Sequence, residues 1–154
     1  MKWKRLAPVA LGLLLVGSAT LGHAQTNTPS SSEASTPAKA HRVLFALTSG
    51  DEADWRLTLG NIHNLLVGLP ADSVQVEVVS YGGGLSFVRK TSSAAADIEA
   101  LLAKHVRFAA CENSMRMQHV TVADLVPGVE PVPSGIVEVV TKQEQGWTYI
   151  KAGR

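Results

Sequence analysis

From Arg42 the chain reads "RVLFAL", apolar from Val43 to Leu47, and then stops against "TSGD" at 48–51. A strand that hides one face alternates apolar with polar side chains, so an unbroken run calls for cover on both faces. Helices on either side of a sheet provide that cover, and the next residues read as a helix. Trp55, Leu59, Ile62 and Leu66 recur at helical spacing behind a Ser-x-x-Glu capping box of Ser49 and Glu52, and Gly68 and Pro70 close the element.

The alternation continues along the chain. Val74, Val76, Val78 and Val79 predict a second strand, closed by Tyr81 and three glycines. Ala94 to Lys104 predicts a helix with Ile98, Leu101 and Leu102 on one side, and Val106 to Ala110 a third strand after which Cys111 opens a helical turn. Val120 to Val126 reads as a further short strand. Ser134, behind Pro131 and Pro133, caps a helix running to Gln145, and Trp147 to Lys151 alternates as a final strand. Strands alternating with helices of this length predict a small three-layer α/β/α domain over residues 42–154, with a mainly parallel sheet of about five strands.

The N-terminus has a different character. Lys2, Lys4 and Arg5 precede an apolar stretch from Leu6 to Leu21, and Gly22 and Ala24 supply small residues before Gln25. This is the layout of a secretory signal peptide over residues 1–24. The stretch is short for a permanent membrane span, and an uncleaved anchor is the minor alternative. Residues 25–41, including "QTNTPSSSEASTPAKA", hold no large apolar residue and read as a flexible linker. The expected location is therefore periplasmic or secreted. Three of the 14 Lys and Arg lie in the leader, leaving 11 against 13 Asp and Glu and a mature net charge of about −2. With no clustered Lys and Arg, nucleic acid is excluded as a partner class, and no stable membrane attachment is expected after cleavage.

Cys111 is the only cysteine, so no internal disulfide, CxxC pair or cysteine zinc site can form. In an open α/β sheet, chemistry gathers at the carboxyl ends of the strands, where "TSGD" (48–51), "SYGGG" (80–84) and "AACENS" (109–114) fall. At a strand-to-helix handover the sulfur of Cys111 would sit beside unpaired helix N–H groups, which lower a thiol pKa. A close Glu112 carboxylate would act the other way. A buried structural cysteine and a reactive one both remain open on these grounds. Ser49, Tyr81, Gly82, Gly83, Asn113 and Arg116 are candidates to line the surrounding pocket, Arg116 because it follows one turn after Cys111.

Other chemistries fit less well. The three glycines follow the second strand and lack the spacing of a dinucleotide fingerprint, and Asp51, Glu52 and Asp54 already occupy the start of the first helix. Gly82 to Gly84 instead suit a tight turn or a close backbone approach. His119, eight residues from Cys111, would lie about 12 Å away along one helix. His41 belongs to the linker boundary, His63 to a helix surface and His105 to a helix end. No two histidines have metal-ligand spacing, so no metal or cofactor is implied.

With Cys111 placed after the third strand, the chain resembles the DsrE/DsrF-like family of sulfur-handling proteins. The likeness is carried by "RVLFALTSGD", "VEVVSYGGGL", "VRFAACENSMR" and the tail "VPSGIVEVVTKQEQGWTYIKAG". It implies a flavodoxin-like sheet, assembly into dimers, trimers or hexamers, and a cysteine at the position of Cys111 that accepts a persulfide sulfur and passes it between donor and acceptor proteins. The alternative is a non-enzymatic oligomeric module that binds a small ligand or protein at the strand-end cleft. A third possibility is a dimer linked through Cys111.

Overall fold

The computed structural model describes residues 41–153. The expected signal peptide and most of the linker lie outside the described residues, while His41 is the first residue of a strand. Five strands form one sheet: β1 (His41–Leu47), β2 (Val74–Ser80), β3 (Arg107–Cys111), β4 (Glu130–Val132) and β5 (Thr148–Ala152). Every pairing is parallel, in the order β4-β3-β2-β1-β5. The helices are α1 (Glu52–Gly68), α2 (Ala95–Leu102), α3 (Glu112–Met117) and α4 (Gly135–Glu144). This is the three-layer α/β architecture expected from the alternating runs, and it is consistent with the flavodoxin-like sheet that the resemblance implies.

The strand order dictates the layers. From β1 to β4 each connection steps to the next strand in the same direction, and right-handed crossovers put α1, α2 and α3 on one face. The connection from β4 to β5 returns across the whole sheet, so α4 belongs on the other face. The packing agrees. Phe45, Leu47, Val78 and Phe108 share the larger core with Trp55 and Ile62 of α1, Ile98 of α2 and Met115 of α3. Leu44, Ala46, Val79 and Ala109 point the opposite way and share a small core with Val139 of α4. The continuous apolar run of β1 is thus explained, since its alternate residues serve the two cores.

Several local expectations are corrected. Asp51, not Ser49, is the N-cap of α1, and its carboxylate accepts from the Ala53 N–H at 2.8 Å. Glu52 faces Arg56 at 3.6 Å instead of closing the capping box. Val120 to Val126 is not a strand. Thr121 and Asp124 form a reciprocal cap on a 3-10 turn, Val122–Asp124, and only Leu125 bridges, antiparallel, to Arg89. The edge strand is Glu130–Val132, hidden from sequence reading by Pro131. Proline lacks a donor for a ladder and is tolerated in a sheet at its edge, where β4 lies.

The glycine turn is a close backbone crossing. Gly82–Val88 is a 3-10 helix, the Gly84 N–H donates to the Thr48 carbonyl at 2.9 Å, and a methyl group on Gly84 would overlap the Leu47 carbonyl. Gly84→Ala should therefore lower stability by about 3 kcal/mol or more. A methyl group on Gly60, in α1, would meet nothing within 4 Å, and Gly60→Ala should stabilise by roughly 0.5–1 kcal/mol. Thermal melts of the two variants check both signs. Equal effects would contradict the backbone crossing.

Candidate functional site

Cys111 is the last residue of β3 and the N-cap of α3. The chain leaves β3 towards one face of the sheet and leaves β4 towards the other, so the crevice between their carboxyl ends is the topological switch point, where ligands bind in open α/β sheets. Cys111 lies buried at that switch point, with Gly135 opening α4 against it. A methyl group on Gly135 would lie 2.9 Å from the Tyr81 Cβ and 3.1 Å from the Cys111 Cβ. Tyr81 follows the Ser80–Ala110 pair of the β2–β3 ladder, which makes it the lateral neighbour of Cys111 on the α4 side.

The sulfur is therefore shared by two helix starts. The N–H groups at both helix starts are directed at the sulfur of Cys111, the N-cap residue of α3. Burial pushes the Cys111 thiol up, since the residue is only 4% exposed. Against burial act the Gly135 N–H, the Ser114 N–H and hydroxyl, and the Asn113 N–H, which together hold the thiol below its ordinary value. Tyr81 is affected in the opposite sense: burial, Tyr149 and Cys111 all push its phenol up.

The three carboxyl-end loops do converge. The Tyr81 N–H donates to the Leu47 carbonyl at 3.1 Å, and a methyl group on Gly83 would lie 3.1 Å from both the Gly50 nitrogen and the Thr48 oxygen. The Gly82 N–H donates to Ser114 Oγ at 2.8 Å, and the Gln118 side-chain amide donates to the Gly82 carbonyl at 2.7 Å. Gly82 needs its freedom here, with φ of 56°.

The candidates fare differently. Tyr81, Gly82 and Gly83 lie in the cluster around Cys111. Asn113 contributes its backbone N–H, while its side chain is turned to Arg116 at the helix surface. Arg116 also faces Glu112 at 3.9 Å and is 66% exposed, so neither charge is directed at the sulfur. Ser49 is occupied in its own loop: its hydroxyl accepts from the Asp51 N–H at 3.1 Å and its carbonyl from the Trp55 indole at 2.9 Å. His119 does not continue the helix from Cys111, because α3 ends at Met117 and His119 has φ of 53°. His63 is exposed on α1, where it lines a cleft of about 450 Å³ with Lys104. Among the described residues no group of three or more His, Cys, Asp or Glu could hold a metal ion. Gly135, Ser114 and Gln118 were missed in the sequence. Ser134 marked the start of α4, but with β4 unrecognised nothing placed that start beside Cys111.

The DsrE/DsrF-like family profile matches residues 20–152. The chain belongs to the DsrE/DsrF-like family. A solved structure of a protein of unknown function from Methanobacterium thermoautotrophicum is 37% identical, with a TM-score of 0.69, and the match covers 72% of this chain and 98% of that one. No curated protein matches the chain. In this DsrE/DsrF-like domain, the cysteine after β3 and the glycine opening α4 form one unit.

Two outcomes follow from that unit. A thiol favoured as thiolate in the fold adds stability as pH rises from its folded pKa towards its unfolded value of about 8.5, and this increment is lost as pH falls through the folded pKa. Cys111→Ser should remove that part of the pH dependence, measured by denaturant melts at pH 6 to 9. Gly135→Ala, which forces the start of α4 away, should move the midpoint of Cys111 alkylation upward towards 8.5. An unchanged alkylation profile in a folded Gly135→Ala protein would count against the α4 N–H as a determinant.

Proposed function

We propose that this protein is an exported DsrE-like sulfur-handling protein that carries sulfur on Cys111. The observation that carries the reading is the convergence of two helix starts, α3 and α4, on one thiol that they hold below its ordinary pKa despite its burial. Family membership supports it, since the family is generally linked to sulfur relay. Export rests on the basic and apolar pattern of residues 1–24.

The transfer balances without an external oxidant or reductant. The Cys111 thiolate attacks the terminal sulfur of a donor persulfide, R–S–SH. A new S–S bond forms on Cys111, the donor's S–S bond breaks, and the donor leaves as the thiolate R–S⁻. The product on the protein is Cys111–S–SH, whose anion the same N–H groups would stabilise. Passage to an acceptor thiolate is the reverse exchange. Tyr81 walls the sulfur on one side and the 82–84 turn closes the crevice behind it. The subunits would assemble as a homo-oligomer, for which Ile136, Val137 and Val140 offer an outward apolar face on α4 at 54%, 60% and 48% exposure.

The second reading, a binding module in which the cysteine is core, draws on the 4% exposure of Cys111. The two are separated by one experiment on the purified protein. Incubation with a low-molecular-weight persulfide and intact-mass analysis should add 32 mass units, one sulfur atom, to the native protein and none to Cys111→Ser. Loading that survives in Cys111→Ser, or that needs denaturant, would leave the binding module.

A further inference from the structure

Beneath α4 lies a buried ion pair that the sulfur chemistry does not use. Lys142 Nζ is 2.6 Å from Glu77 Oε2, with side-chain exposures of 10% and 0%. Glu77 belongs to β2, on the sheet face that α4 covers. Its other oxygen, Oε1, is buried with no hydrogen-bond partner. From β3, Arg107 approaches Glu77 at 3.4 Å and is itself held by Glu130 of β4 at 2.7 Å. From α4, Glu138 faces Lys142 at 3.4 Å, and Lys142 lies 4.7 Å from the centre of the Trp147 ring. Burial pushes the Glu77 carboxyl up, against the pull of Lys142 and Arg107.

Besides this pair, α4 is tied down at its two ends, by Gly135 against Tyr81 and Cys111 and by the Arg42 guanidinium, which donates to the Gln145 carbonyl at 2.7 Å, while its middle has little apolar contact. Of its apolar side chains only Val139 is buried, while Ile136, Val137 and Val140 face outward. One valine sets the distance of a helix from a sheet but resists sliding poorly. A short, directional bond between two buried charges does resist it, and register is the best-attested use of such pairs, whose net stabilisation is small. Lys142 follows Gly135 by seven residues, two turns along the same face. The bond at one end of α4 therefore sets where its other end meets Cys111.

We infer that the Glu77–Lys142 pair is a positioning device that holds the Gly135 end of α4 against the Cys111 sulfur. This rests on the sulfur-carrier reading, since a core cysteine would have no use for it. Around Cys111 itself the titratable and polar neighbours are Tyr81, which follows β2, Ser114 and Asn113 from α3, and the Gly135 N–H from α4.

The test is the pH profile of Cys111 alkylation by iodoacetamide, scored by intact mass, with circular dichroism to establish folding. In Lys142→Met the rate at pH 7 should fall about tenfold, with the whole profile moved to higher pH. Lys142→Arg, which keeps a donor for Glu77, should retain the parent profile. If Lys142→Met fails to fold, the double variant Glu77→Leu/Lys142→Met removes the stranded acid and should show the same tenfold loss. A folded Lys142→Met or double variant with the parent profile overturns the positioning role and leaves the carrier reading intact. A parent profile already centred near 8.5 overturns the thiolate reading and the positioning role with it.

Discussion

The long return from β4 at one edge of the sheet to β5 at the other is the constraint on which the molecule depends. Because β5 pairs with β1 and not with β4, the connecting helix must cross the second face. That crossing covers the strands whose inward residues would otherwise meet water. It also brings the start of α4 to the carboxyl end of β3, where α3 starts on the other side. A sheet wound in one direction only would cover one face and leave a single helix start near Cys111. The meeting of two helix starts at Cys111 is a product of the reversal.

The two faces are unequal. On the first, Phe45, Phe87 and Phe108 are essentially fully buried and Trp55 packs 5.7 Å from Phe87, so large apolar side chains set the fold. On the second, α4 buries Val139, worth about 1.5–3 kcal/mol, beside small residues such as Ala46 and Ala109. A thin core of this kind accommodates the charges of Glu77 and Lys142 that the first face could not.

The balance at Cys111 follows from the same arrangement. Removing a thiol from water disfavours its charged form, and a free cysteine in an apolar core would be inert. Here the groups that remove it from water are themselves donors. The Gly135 N–H is available to the sulfur because glycine allows α4 to approach both Cys111 and Tyr81 within van der Waals distance. The acid next in sequence, Glu112, is partly exposed and faces Arg116, so its charge is answered at the helix surface.

Much of this is legible in the linear chain. The unbroken run of β1, the valine-rich β2 and the helical spacing of Trp55, Leu59, Ile62 and Leu66 are local patterns, set by side-chain period and burial, and they determine a covered parallel sheet with Cys111 at a strand end. The chain also determines that any sulfur chemistry has one thiol to use. What it could not determine was which face each helix takes, because that follows from strand order and not from local propensity. Pro131 masked the edge strand, and with it the reversal that seats Gly135 on Cys111. The pairing of Glu77 with Lys142 likewise depends on two residues far apart in sequence, and only the crossing of α4 over β2 brings their charges together out of water.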